Sequence, residues 1–215
     1  MIAWLALGGC TSEPIQFPST LEPLAENRAA WPGDGTDYPE ELQTKGGDSP
    51  DMEHYWGHGR AYLHHDVDTV WEASQSVDAC VDRRQTDEWR AELDTQPEFD
   101  VSYTLFLERF DVINVSWEVA WVHERQLASP DDDRTLRVVV NSEKAGGSTL
   151  VGDLRGSLVL EEVEPGITSL EFVQVGTSRL RGNDSETSLA YVRDYFADIK
   201  AVAEGEPLPA YQRAE

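Results

Sequence analysis

Cysteine and lysine are both scarce in this chain. Two Cys, Cys10 and Cys80, occur in 215 residues, which excludes a small scaffold stapled by disulfides. Three Lys occur, Lys45, Lys144 and Lys200, so the 17 basic residues are almost all Arg, and they face 41 Asp and Glu. A net charge of -24 excludes nucleic-acid binding by phosphate neutralisation, and it repels anionic lipid headgroups. The acid excess is not a binding tail, since residues 13–53 carry ten acids and two bases and residues 54–215 carry 31 acids and 15 bases. There is no apolar run of the roughly 20 residues needed to span a bilayer. Gly-x-Ser-x-Gly elbows and phosphate loops with Lys-Ser or Lys-Thr are lacking too. His54, His58, His64 and His65 lie close together, but their spacing matches no zinc signature. No catalytic residue, metal or cofactor is expected.

Aromatic residues are plentiful: seven Trp, seven Tyr and six Phe in a chain that is 40% hydrophobic, enough for the core of one domain. The first ten residues form an apolar run ending in Leu7-Gly8-Gly9-Cys10 and read as a secretory signal. That ending resembles a bacterial lipobox. The resemblance implies that Cys10 is diacylated, becomes the first residue after cleavage, and anchors the protein to a membrane. The expected location is the cell envelope outside the cytoplasm, at an outer membrane or cell surface. The segment departs from the usual signal in having no Lys or Arg before Cys10.

Residues 11–53 contain six Pro together with Gly33-Asp34-Gly35 and Gly46-Gly47-Asp48-Ser49, and no apolar period persists in them. Such a segment reads as a disordered tether. Trp31, Tyr38 and Leu42 are its residues able to dock on the domain.

The domain spans residues 54–206, with 207–215 as a tail. Gly59–His65 reads as a strand, followed by a helix capped at Asp66 that carries Val70, Trp71, Ser74, Val77 and Val81. The stretch Asp87 to Leu93 reads as a short helix or turn. Alternating runs then mark strands at Val101–Leu107, Val115–His123, Leu136–Val140, Leu154–Leu160 and Leu170–Val175. Leu189, Val192, Phe196, Ile199 and Ala203 mark a long amphipathic helix that Ser185 can cap and that Gly205 and Pro207 stop. The fold class is α+β: an antiparallel sheet of about six strands, short N-terminal helices and one long C-terminal helix.

This order resembles the START-like superfamily, the helix-grip or SRPBCC group that includes polyketide cyclases and lipid-transport domains. The acid-capped run from Asp66 to Ala73, with Val70-Trp71 inside it, is similar to the start of that family's first helix. The run from Gly156 to Val163, followed by Pro165-Gly166-Ile167-Thr168, is similar to its late hairpin. The resemblance covers about residues 58–205. It departs from the family in the long polar stretch from Arg83 to Glu98. It implies a sheet curled around the last helix, with a cavity between them.

Tyr103, Trp117, Val119, Trp121 and His123 can share one sheet face, with Trp71 and Phe196 packing onto it from the helices. Such a face serves either as the wall of a cavity for an apolar or ring-containing ligand, or as plain core between sheet and helix. His123 is the titratable group on it that could transfer protons in an enzyme of the same superfamily. Cys80, on the apolar side of the first helix, reads as an inert small hydrophobe. Arg109, Arg125, Arg137 and Arg155 sit at strand ends or outward positions and are expected to pair with nearby acids. The functional expectation is a membrane-anchored envelope lipoprotein that binds a hydrophobic small molecule or lipid. The alternatives are an acidic interaction or structural protein with a filled core, or a cyclase- or hydrolase-like enzyme. No protein partner can be named from the residues.

Overall fold

The alternating runs become long strands of one antiparallel sheet. The computed structural model describes residues 15–49, 54–110, 113–129, 132–178 and 184–212. The strands are β1 (Gln43–Asp48), β2 (Tyr55–Leu63), β3 (Glu88–Leu93), β4 (Val101–Phe110), β5 (Asn114–Ser129), β6 (Asp132–Gly147), β7 (Val151–Glu164) and β8 (Ile167–Ser178). They lie in the order β1-β2-β8-β7-β6-β5-β4-β3. The helices are α1 (Val67–Ser74), α2 (Val77–Cys80) and α3 (Ser185–Ala203). The α+β class holds, but the sheet has eight strands instead of six.

Both additional strands are edges. β3 occupies the stretch expected as a short helix or turn. Its Glu88, Arg90 and Glu92 face solvent while Trp89 and Ala91 pack on the core, a period of two carried mainly by charge. β1 comes from the segment expected as tether and pairs along β2 from Gln43↔Arg60 to Asp48↔Tyr55. The strand expected from Gly59 therefore begins earlier, at Tyr55, and ends at Leu63.

The single helix expected after Asp66 is broken in two. Asp66 caps α1 by accepting from the Thr69 amide at 2.9 Å, and Ser76 starts α2. The cap of α3 is Asp184, not Ser185: its carboxylate accepts from the Thr187 amide at 3.0 Å. α3 ends in a Schellman turn. Gly205 takes φ +71°, and Glu206 N donates to Ala201 O at 2.7 Å. Among the described residues no helix is long and apolar enough to cross a membrane.

α3 lies on β1 and β2 at a strip of glycines. A Cβ on Gly59 would stand 2.6 Å from Val192 Cγ1, and one on Gly57 would stand 2.6 Å from Ser188 Oγ. The helix axis is thus set by two positions that have no side chain.

The part of the tether segment that the structure describes is not free. From Leu21 to Arg28 the chain crosses the back of the sheet, away from α3. Leu21 N donates to Glu124 on β5, Asn141 on β6 donates to Glu22 O, and Leu24 N donates to Ser157 on β7. Asn27 then donates to Gly59 O and Phe172 O. Leu21 is fully buried against Val122 and Val139. Trp31 stacks on Tyr62 and Tyr38 meets the same ring edge-on, each at 5.0 Å, as two of the docking residues were expected to do. The strap thus removes the apolar pair Val122 and Val139 on that largely polar face from water.

Candidate functional site

The inward row of β4 is Tyr103, Leu105, Leu107 and Arg109, and that of β5 is Trp117, Val119, Trp121 and His123. The register pairs Tyr103 with Trp121 and Leu107 with Trp117. All the sheet residues expected on the aromatic face therefore share it. What covers them differs from one end to the other.

At the far end α1 seals the face. His123 is fully buried, and its Nδ1 accepts from Trp71 Nε1 at 3.3 Å. The Arg125 guanidinium lies 5.3 Å from the Trp71 ring centre. Burial pulls the His123 ring down to about 3, so it stays neutral and walled off from any ligand. It does not supply the proton-transfer group considered for an enzyme.

The middle of the face is filled by aromatic packing. Tyr103 stacks on Trp121 at 6.0 Å, and Tyr195 of α3 meets Trp121 and Phe172 edge-on. Cys80 Sγ sits 3.1 Å from the Tyr103 hydroxyl, and burial pushes its thiol up to about 11. It is an inert core group.

At the near end the face is not filled. A cavity of about 100 Å³ lies there, with apolar walls that include Leu105, Leu107, Trp117, Val119, Trp121 and Phe172. One water needs roughly 10–15 Å³ on this kind of measure, so the space is several waters large. Polar residues close it: Asp82, Gln85 and Thr86 from the loop after α2, Arg109 from β4, Arg155 from β7 and Tyr55 from β2. Gln85 Nε2, Thr86 Oγ1, Trp121 Nε1 and Arg155 Nε are buried and have no hydrogen-bond partner among the described residues. Four orphaned polar atoms around one cavity are costly in a sealed core. Burial pushes the Asp82 carboxyl up to about 6 and the Tyr55 hydroxyl up to about 12.

Two arginines pin the loop that carries Asp82, Gln85 and Thr86. Arg83 pairs with Asp198 at 2.6 Å, and Arg84 grips Asp194 by two hydrogen bonds of 2.5 and 3.0 Å. Both guanidiniums lie over the Tyr211 ring, at 4.8 and 4.9 Å from its centre. Arg83 also donates to Pro209 O at 3.0 Å, so the tail after α3 returns to lock one wall of the cavity.

Of the expected site residues, Trp117, Val119 and Trp121 line this cavity. Tyr103 and His123 continue the same face but are sealed, and Trp71 belongs to the seal. Phe196 lies elsewhere, on a separate void of about 10 Å³ beside Leu42 and Gly59. Cys10 lies outside the described residues. Arg155 pairs with Asp153 at 2.7 Å, as expected, but Arg109 points inward and has no acid partner among the described residues. The alternation Tyr103-Leu105-Leu107-Arg109 carried that signal. Among the described residues no cluster of three or more His, Cys, Asp or Glu could hold a metal ion.

A long helix gripped by an eight-stranded antiparallel sheet defines the α+β helix-grip class. No family model matches the sequence, and no curated protein matches it. Solved structures do. Human STARD10 aligns with a TM-score of 0.57 at 8% identity, over 89% of this chain and 82% of its own. Human StAR-related lipid transfer protein 5 aligns with a TM-score of 0.50 at 10% identity, over 83% and 86%. A STAR-related lipid transfer protein from Xanthomonas axonopodis aligns with a TM-score of 0.48 at 15% identity, over 82% and 96%. The chain has the START-like, SRPBCC fold. At such identities the likeness concerns the fold.

Proposed function

We propose that this is an envelope lipoprotein, anchored through Cys10, whose START-like domain binds a hydrophobic small molecule between sheet and helix. The observation that carries the binding reading is the unfilled cavity walled by Trp117, Val119 and Trp121 in an otherwise close-packed core. A volume of about 100 Å³ suits a ring or a short chain; a lipid with two long tails requires the Asp82–Thr86 loop or the start of α3 to move. The structural neighbour StAR-related lipid transfer protein 5 is named for lipid transfer, which agrees with an apolar cargo. Anchoring rests on the Leu7-Gly8-Gly9-Cys10 sequence alone.

Binding is tested with a neutral apolar fluorophore, N-phenyl-1-naphthylamine, titrated against the full chain and against Val119→Trp, which fills the cavity. Saturable binding that weakens at least tenfold in the variant supports the reading; equal binding by both proteins refutes it. Anchoring is tested by detergent phase partition of the expressed protein. The wild type should enter the detergent phase and Cys10→Ser the aqueous phase.

A second reading, an enzyme using acid–base chemistry, gains one observation. Asp82 lines the same cavity with its carboxyl raised into the range of a general acid or base. Asp82→Asn would abolish turnover of any substrate found for the cavity while leaving its binding intact.

A further inference from the structure

We infer that the ligand of this cavity is an amphipathic anion, its apolar part against Trp117 and Trp121 and its acid group on Arg109. The inference rests on the binding reading above and names the ligand class. Arg109 occupies the inward row of β4, directly after Leu105 and Leu107, and is 7% exposed. Its Nη1 donates to Gln85 Oε1, a neutral acceptor. Among the described residues its Nε and Nη2 have no acceptor and no carboxylate lies within ion-pair distance. A guanidinium held out of water without a counter-charge is unfavourable, and in a core it is paired. The guanidinium is also a planar fork, matched to two oxygens of a carboxylate or phosphate.

The neighbouring groups have the same character. Gln85 Nε2 and Thr86 Oγ1, both beside the same cavity, are buried with no partner among the described residues and can donate to an acid group. Asp82 is the one acid among the described lining residues. Among the described residues it makes no ion pair with Arg109. A carboxylate and a phosphate monoester present the same chemistry to the fork, and the test separates them.

The test uses full-length protein and four probes on one ring system: 2-naphthoate, 2-naphthyl phosphate, 2-naphthamide and naphthalene. Quenching of Trp fluorescence reads occupancy. The wild type should bind an anionic probe at least tenfold more tightly than the amide. The tighter of the two anions identifies the acid. In Arg109→Met the anion preference should fall below about threefold, while naphthalene binding is kept. Arg109→Lys, which keeps the charge and loses the fork, should retain part of the preference. The preference of the wild type needs no variant, so a folding failure of Arg109→Met leaves the inference testable. If amide and naphthalene bind as well as both anions, the inference is overturned and the hydrophobic-cavity reading survives. If no probe binds, both fall.

Discussion

Replacing Gly59 by Ala should destabilise the protein by steric conflict at one identified atom. The new Cβ would stand 2.6 Å from Val192 Cγ1 and 3.2 Å from Leu42 Cδ1. Val192 is 1% exposed on α3, and its branched side chain is stiff in a helix, so the methyl cannot swing aside. Overpacking of this kind costs about 1–3 kcal/mol, against a gain of about 0.4–1 kcal/mol from the less flexible unfolded chain. The net expectation is a loss of about 1–2 kcal/mol, which lowers the melting temperature by roughly 2–8 °C at this size. Val192→Ala removes the opposing methyls and costs about 2 kcal/mol by itself. The double variant should be no less stable than Val192→Ala, because the clash has gone. Urea unfolding of all four proteins, with equal slopes, gives the coupling energy, expected to be at least 1 kcal/mol in favour of the pair. Additivity within about 0.5 kcal/mol would refute the claim that bare backbone at Gly59 sets the seat of α3.

Three further outcomes follow from the same geometry. His123 is neutral in the fold down to about pH 3, while an unfolded His takes up a proton near 6.5, so its contribution is complete above pH 6.5 and is lost as pH falls below it. His123→Leu should flatten the stability profile by about 1.4 kcal/mol per pH unit between pH 6 and pH 4, and an unchanged slope in urea titrations would count against a buried neutral ring. Arg83→Met leaves the Asp198 carboxylate, 1% exposed, with Tyr211 as its donor. It should cost about 3 kcal/mol in chemical denaturation, and a cost below about 1 kcal/mol would show that the pair is solvated. In a Cys10→Ser background, Cys80 should resist Ellman's reagent in native buffer and react on unfolding; prompt native reaction would contradict a thiol raised to about 11 in the core.

The central strands and α3 were legible because each has one wet and one dry side. Val115-Trp117-Val119-Trp121 and the Leu189 to Ala203 spacing record that difference directly. The edges were not legible for the same reason. β1 holds Gly46 and Gly47, which bury almost no side chain, and its place depends on the shape of α3 above it. β3 alternates charge with only two inward apolar residues, Trp89 and Ala91, and so resembles a polar turn. The strap from Leu21 to Arg28 is held by side chains on β5 to β7 more than 100 residues away, as in the Leu21–Glu124 and Leu24–Ser157 bonds. No local pattern announces contacts of that range. Proline-rich sequence signalled only that the segment could not form a regular element of its own.

The same limit explains the site. His123 and Arg109 lie on inward rows of adjacent strands, and strand parity treats them alike. Their fates differ because α1 places Trp71 over His123, whereas among the described residues no helix aromatic covers Arg109. The loop that does approach Arg109 brings Gln85, a neutral acceptor, and is held there by Arg83 and Arg84 gripping Asp198 and Asp194 on α3. Those acids are two among 41. Arg109, Arg125, Arg137 and Arg155 were expected to pair with nearby acids, and of these Arg155 does so among the described residues. Among the described arginines without an acid partner, Arg109 is the buried one, and its place beside an unfilled apolar cavity ties the cost of keeping that inward cation unpaired to a ligand.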